Sequence, residues 1–173
     1  MRELGGRFHI FAHNGHVPDV ISAPALPLGR FRPVGETDSE YAFCALLARL
    51  EGSWLATTLP TLEARLGIIR GFAQELRQLG PANFLYSDGD HLFVHSDRRR
   101  QADGSLAPPG LHILHRECFE GMPFETSGLK IKTPSQHVVL VASVPLTDET
   151  WHPLTQGEVT VLRNAELGRG LRR

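Results

Sequence analysis

The chain has 173 residues, with 18 Lys+Arg against 19 Asp+Glu for a formal charge of −1, and 41% of it is hydrophobic. That length suits a single domain over residues 1–173, since domains peak at roughly 100–150 residues; the 17 glycines and 12 prolines stay below the share of ~25–30% at which a chain turns disordered. Balanced charge argues against nucleic acid or an anionic membrane as main partner, because both need a net basic footprint, and no apolar run approaches the ~18 residues of a membrane span.

Phe8, Ile10 and Ala12 alternate with His9, Phe11 and His13, a period of two that predicts a strand stopping at Asn14-Gly15. From Pro18 to Pro33 the prolines and glycines forbid regular structure, so a surface loop with extended pieces is expected. Thr37-Asp38-Ser39-Glu40 is a capping box, with Thr37 as N-cap and Glu40 three residues on. Phe43, Leu46, Leu47 and Leu50 then fall at i, i+3, i+4, i+7 and form one apolar stripe of a helix that Gly52 is placed to end. A second helix is expected to open around Thr58 and Pro60, to bury Leu62, Leu66, Ile69, Ala73, Leu76 and Leu79, and to stop at Gly80-Pro81.

After the helices the period changes. Asn83 to Tyr86 and His91 to His95 flank Ser87-Asp88-Gly89-Asp90, a hairpin with a glycine-bearing turn. Arg98 to Pro109 is polar and rich in Gly and Pro, hence a loop, and Leu111 to Leu114 a strand. Val138 to Val144 is a continuous apolar run, as expected of a strand buried on both faces, and Glu158 to Leu162 is the last strand. Strand, two helices, then many strands predicts an α+β fold with helices packed on sheet.

Three constellations could carry chemistry. His13-Asn14-Gly15-His16 ends a strand, and Asn-Gly alone suits a hairpin turn. It also suits an oxyanion site, where an Asn carboxamide and a Gly N–H point at one developing negative charge. In Gly35-Glu36-Thr37-Asp38-Ser39-Glu40 the acids favour a helix start, but the cap does not use Asp38, whose carboxylate could receive a substrate ammonium group. The nine histidines, His9/His13/His16, His91/His95 and His112/His115 among them, show no helical i, i+4 pair with companion carboxylates, so ordinary surface or hydrogen-bonded roles are expected and no metal or cofactor is called for. Of the two cysteines, Cys44 reads as a small buried hydrophobe in the first helix, while Cys118, after Arg116-Glu117 and three residues past His115, is an alternative nucleophile without an orienting third group. Two cysteines make no disulfide scaffold, so a reducing cytoplasm is the expected compartment. Arg98-Arg99-Arg100 and the tail from Arg169 to Arg173 read as solvated basic patches.

His13-Asn14-Gly15, followed after a Pro-rich loop by Phe31 to Glu40, resembles the class II glutamine amidotransferases, most closely their small stand-alone, YafJ-like branch, with the ergothioneine-pathway amidohydrolases as relatives. Phe84 to Gly89 looks like that family's post-helix hairpin, and Val138 to Pro145, Trp151 and Gly157-Glu158 look like its C-terminal strands; the resemblance runs from about Leu4 to about Leu162. It implies an N-terminal-nucleophile fold, a four-layer αββα sandwich, and hydrolysis of the side-chain amide of glutamine or a γ-glutamyl compound. It further implies that Asn14, by its side chain, and Gly15, by its backbone N–H, form the oxyanion hole, and that Asp38 binds the α-ammonium.

In that family the nucleophile is the first residue of the mature chain, a cysteine whose own α-amine serves as base. Here the sequence opens Met1-Arg2. The resemblance therefore implies a C-terminal portion of the domain, an incomplete sandwich without the cysteine segment or the arginine that holds the substrate carboxylate. Such a sheet is expected to expose an edge and an apolar face, and the chain as it stands to lack amidase activity. A non-catalytic glutamine- or γ-glutamyl-binding or regulatory protein is the alternative, and a complementing chain or a homo-oligomer a further expectation.

Overall fold

Two consecutive glycines in the left-handed region, Gly5 at φ 61° and Gly6 at φ 73°, begin the computed structural model with a hairpin in which β1 (Arg2–Leu4) pairs antiparallel with β2 (Arg7–Gly15). A two-residue turn of this kind fits the strand twist and calls for positive φ at both positions. The described residues are 1–54, 58–118, 124–126, 129–131, 136–164 and 166–167; the basic tail from Arg169 to Arg173 lies outside them.

The segment between β2 and the first helix is less of a surface loop than its prolines suggest. One 3-10 turn spans Pro18–Ile21, and Val17, Val20, Leu26 and Phe31 reach into the core. Apolar side chains spaced along an irregular backbone anchor it.

Helix α1 (Asp38–Glu51) starts as expected, Thr37 accepting from the Glu40 N–H, and buries Phe43, Leu46, Leu47 and Leu50. The capping box is only half made. Glu40 reaches back past Thr37 to accept from the N–H groups of Val34 at 2.9 Å and Gly35 at 2.7 Å, and it pairs with Arg2 at 2.6 Å. Helix α2 (Leu62–Leu76) begins later than expected because Thr61, not Thr58, supplies the cap, accepting from the Ala64 N–H at 3.2 Å. Leu66, Ile69, Phe72, Ala73 and Leu76 are buried, whereas Leu62 and Leu79 are half-buried.

Strands β3 (Ala82–Ser87) and β4 (Leu92–His95) form the expected hairpin. The rest are β5 (Arg99–Arg100), β6 (Leu106–Ala107), β7 (His112–Cys118), β8 (Phe124–Thr126), β9 (Leu129–Ile131), β10 (Gln136–Ala142), β11 (His152–Pro153), β12 (Val159–Arg163) and β13 (Glu166–Leu167). The main sheet runs β1-β2-β3-β4-β12-β13, and a second sheet runs β10-β7-β11.

Among the described residues the helices and the two larger sheets stack as three layers. On one face of the main sheet Phe84, Tyr86, Phe93, Val159 and Val161 meet α1 and α2. On the other, Leu85, Leu92, Val94 and Leu162 meet Leu111, Ile113, Val139, Val141 and Leu154 of the second sheet and its connections. The order helices–sheet–sheet is the expected α+β class; among the described residues no helix covers the outer face of the second sheet.

One burial expectation is corrected, and β2 adds a pattern that its alternation left open. The run Val138 to Val144 is not buried on both faces: among the described residues β10 has β7 as its one neighbouring strand, its residues 138–142 are half-buried, and Val144 is exposed. In β2 the polar-looking set faces inward. His9 is fully buried, its Nδ1 2.6 Å from the Tyr86 hydroxyl and its Nε2 3.1 Å from the Leu4 carbonyl, while Phe8 and Ile10 are 63% and 52% exposed. Neither Phe8 nor Ile10 is among the described residues that meet the second sheet, and this apolar face of β2 lies open.

Candidate functional site

The far end of β2 carries the first two candidates. Asn14-Gly15 is not a hairpin turn. The strand continues through it beside β3, with Asn14 opposite Asn83 and Gly15 opposite Ala82, and the His16 N–H donates to the Pro81 carbonyl at 3.1 Å. The partner is a strand distant in sequence, which local turn chemistry cannot foresee. Glycine is obligatory at 15 for a steric reason, because a Cβ there would lie 1.9 Å from the Pro81 carbonyl oxygen.

The direction of the Gly15 N–H follows from the peptide that carries it. The Asn14 carbonyl faces β3, where it accepts from Asn83 Nδ2 at 3.0 Å. Carbonyl and N–H point in opposite directions across a trans peptide, so the Gly15 N–H points away from β3. On that side β1 pairs only as far as His9, and among the described residues no strand covers Gly15. Asn14 is exposed, and its carboxamide has no partner among the described residues.

Asp38 opens α1 directly beside this strand end. Its Oδ2 accepts from the Val17 N–H at 2.7 Å, and its Oδ1 from the Ser39 N–H at 2.7 Å and the Ser39 hydroxyl at 3.3 Å. Burial raises its pKa, but the Val17 and Ser39 amides and the nearby His13 outweigh that, and the carboxyl is held below its ordinary range. It is therefore ionised at neutral pH, half-buried, and has lone-pair capacity left beyond these bonds.

A second contact ties the two motifs together. His13 Nδ1 lies 3.0 Å from Ser39 Oγ, and burial pushes this imidazole's pKa down against the opposing pull of Asp38. The structure thus gathers Asn14, Gly15 and Asp38 into one corner through the Val17–Asp38 and His13–Ser39 links. Adjoining it is a depression of about 390 Å³ lined by Arg2, Phe11, Val34, Thr37, Ser39 and Phe43 among others. The roles of His13, Ser39 and Arg2 were not assigned from sequence; the one available signal was that His13 shares a strand face with Phe11, which stacks on Phe43 at 5.5 Å.

The remaining candidates lie elsewhere. His9, His91 and His95 each have their own partners, in Tyr86 and Leu4, Asp90, and the Ala82 carbonyl. Among the described residues no group of three His, Cys, Asp or Glu could hold a metal ion. Cys44 is fully buried in α1, and burial pushes its thiol pKa up, the reverse of what a nucleophile requires. The Cys118 side chain lies outside the described residues. Among the described residues no helix is long and apolar enough to cross a membrane.

Comparison with known proteins gives one consistent answer. The family profile of the class II glutamine amidotransferases matches residues 1–171. YafJ of Escherichia coli (strain K12), a glutamine amidotransferase by assignment, is 38% identical over 91% of this chain and 58% of its own length. A Haemophilus influenzae protein assigned likewise is 27% identical over 96% of this chain and 53% of its own. The 2.0 Å crystal structure of a predicted glutamine amidotransferase from Pseudomonas aeruginosa superposes with a TM-score of 0.74 at 34% identity, over 99% of this chain and 63% of that one. The chain spans about half the length of the curated relatives it matches.

Proposed function

Because the chain belongs to the class II glutamine amidotransferase family, we propose that the corner formed by Asn14, Gly15 and Asp38 recognises glutamine or a γ-glutamyl amide and stabilises the oxyanion that forms when the side-chain amide is attacked. The observation that carries this reading is the Gly15 N–H turned away from β3 beside the unpartnered Asn14 carboxamide, with an ionised Asp38 attached to the same strand end. When a nucleophile adds to an amide carbonyl, negative charge moves onto the oxygen. Two fixed donors aimed at that oxygen favour the adduct over the planar substrate, typically by about 3–4 kcal/mol per donor. Asp38, in salt-bridge range of an ammonium group, fixes the amino-acid end so that the amide meets those donors.

Attack requires a nucleophile beside Asn14, and Cys44 does not serve, being buried in α1 with a raised pKa. Among the described residues no reactive thiol stands beside Asn14, so on this reading a cysteine-bearing segment, joined to these residues or supplied by a complementing chain, carries out the attack, and the 173-residue chain is expected to bind a glutamine-type ligand without turning it over. Thiol chemistry of that kind suits a reducing cytoplasm. Calorimetry with L-glutamine and an ammonia-release assay test both halves. Binding that Asp38→Ala weakens by roughly tenfold, for loss of a charge-assisted contact, together with no ammonia, is the expected result. Absence of binding, or turnover by this chain alone, contradicts it.

A further inference from the structure

Asn83 places a side-chain donor on the Asn14 carbonyl, the other end of the peptide that carries the Gly15 N–H. It stands opposite Asn14 in the β2–β3 register and is 1% exposed. Its Nδ2 donates to the Asn14 carbonyl at 3.0 Å and to the Arg98 carbonyl at 2.9 Å, while its Oδ1 accepts from the Asp97 N–H at 2.7 Å. Three of the four hydrogen-bonding positions of a carboxamide are thus engaged by backbone. The side chain also has no room to swing: a Cβ at Gly110 would lie 1.8 Å from its Oδ1. Asp97 is anchored in turn, its Oδ1 accepting from Arg77 Nη2 at 2.8 Å and Gln156 Nε2 at 2.9 Å.

The Asn14 carbonyl and the Gly15 N–H are the two ends of one planar peptide. A donor held on the carbonyl fixes the tilt of that plane. It also draws electron density toward the oxygen and makes the N–H at the other end a stronger donor, by a cooperativity of ~10–30% per bond. A donor that is already aimed needs no reorganisation when negative charge arrives.

Resting on the reading of Asn14 and Gly15 given above, we propose that Asn83 is a positioning residue of the oxyanion site: its carboxamide, clamped between the backbone of Asp97 and Arg98, orients and polarises the Asn14–Gly15 peptide toward the substrate. It touches no substrate itself. A residue that only braced the hairpin would lower stability when replaced and leave ligand preference as it was.

Isotope-labelled 173-residue chain, followed by NMR, separates these cases. L-Glutamate is the probe, its γ-carboxylate standing in for an anionic oxygen, and L-glutamine is the neutral comparison. In the unaltered chain a through-bond coupling between Asn83 Nδ2 and the Asn14 carbonyl carbon is expected, and its absence overturns the proposal without any variant. In Asn83→Ser the Gly15 amide nitrogen signal shifts before ligand is added, and the Kd for L-glutamate rises roughly fivefold or more while that for L-glutamine rises less than twofold. Gly110→Ala, which keeps Asn83 but displaces its carboxamide, moves the same signal and the same preference. An unmoved Gly15 signal, or equal weakening of both ligands, overturns the proposal. Asp38→Ala distinguishes the levels. If it weakens both ligands while Asn83→Ser binds like the unaltered chain, the positioning role alone is wrong; if the unaltered chain binds neither ligand, the functional reading falls and takes this proposal with it.

Discussion

Gly15 illustrates how little freedom the site has at the scale of one residue. Its φ is not left-handed, so the usual argument for glycine does not apply; the requirement is the Pro81 carbonyl, 1.9 Å from where a Cβ would stand. Gly15→Ala must push β2 away from the turn before β3, and the β2–β3 ladder resists. We expect a loss of about 2–3 kcal/mol, as for other overpacked sites, and with it the alignment of the Asn14–Gly15 peptide. Urea unfolding and L-glutamine titration measure the two effects; a variant with the midpoint and affinity of the unaltered chain would show that this close approach is not needed. Asp38 behaves differently. Two backbone amides hold it whether or not ligand is present, so its substitution removes both a ligand contact and the tether between α1 and the end of β2.

At the scale of elements, a buried ion pair joins α2 to the β3–β4 hairpin. Arg65 lies 2.6 Å from Asp88 and 3.1 Å from Asp90, and Arg65 and Asp88 are almost completely buried. Asp88 also accepts from the N–H groups of Asp90 at 2.9 Å and His91 at 2.8 Å, so it shapes the turn. Removing one partner leaves an uncompensated buried charge, and Arg65→Met is expected to lower unfolding stability by about 3–5 kcal/mol. Adding Asp88→Asn should restore part of that loss; no recovery in the double variant would assign the cost to packing of the arginine stem instead. The strands carry a second device. Burial pushes the pKa values of His9, His13 and His95 down. A histidine with a folded pKa below its unfolded value of about 6.5 stabilises the neutral form, so its contribution is complete above that value and is lost as pH falls through it toward the folded pKa. The urea midpoint at pH 5.5 is therefore expected below that at pH 7.5, while Asp38, lowered in pKa, still holds its charge. An equal or higher midpoint at pH 5.5 contradicts this.

The same elements show what the sequence could disclose. The stripe of α1 and the β3–β4 hairpin were legible because each is encoded over a few adjacent residues; the two motifs of the candidate site were each visible as such a run, but the Val17–Asp38 and His13–Ser39 bonds that bring them together were not. The start of α2 was misplaced because Thr58 and Thr61 are both cap-forming residue types, and only the fold shows that Thr61 makes the bond to the Ala64 N–H. Inward-facing His9 was not legible, since its partners Leu4 and Tyr86 come together only once β1 and β3 flank β2. The β1–β2 hairpin itself carried a readable signal, Gly5-Gly6 between alternating residues, which the expected single strand passed over. Asn83 belongs to the contacts that sequence hides, because its three bonds run to backbone atoms of residues far along the chain or across the sheet.

For the molecule as a whole, the open face of the main sheet decides how the chain behaves at concentration. The second sheet covers Leu85, Leu92, Val94 and Leu162 but leaves Phe8 and Ile10 at 63% and 52% exposure. Edge-to-edge pairing through β1 is disfavoured, because this three-residue strand carries the charges of Arg2 and Glu3. The face has no such protection, and contiguous apolar surface on a monomer promotes contact with a like surface. Association should accordingly run face to face through β2. Replacing both residues by threonine keeps β-propensity and removes apolar area that folding does not bury, so Phe8→Thr/Ile10→Thr is expected to leave the urea midpoint within about 0.5 kcal/mol of unfolding stability and to reduce the concentration dependence of the sedimentation coefficient. If the double variant associates as strongly as the unaltered chain, the contact lies at an edge or loop instead. If it unfolds more easily by several kcal/mol, these side chains are already buried in solution by a partner copy, and the face is an interface on which the fold depends.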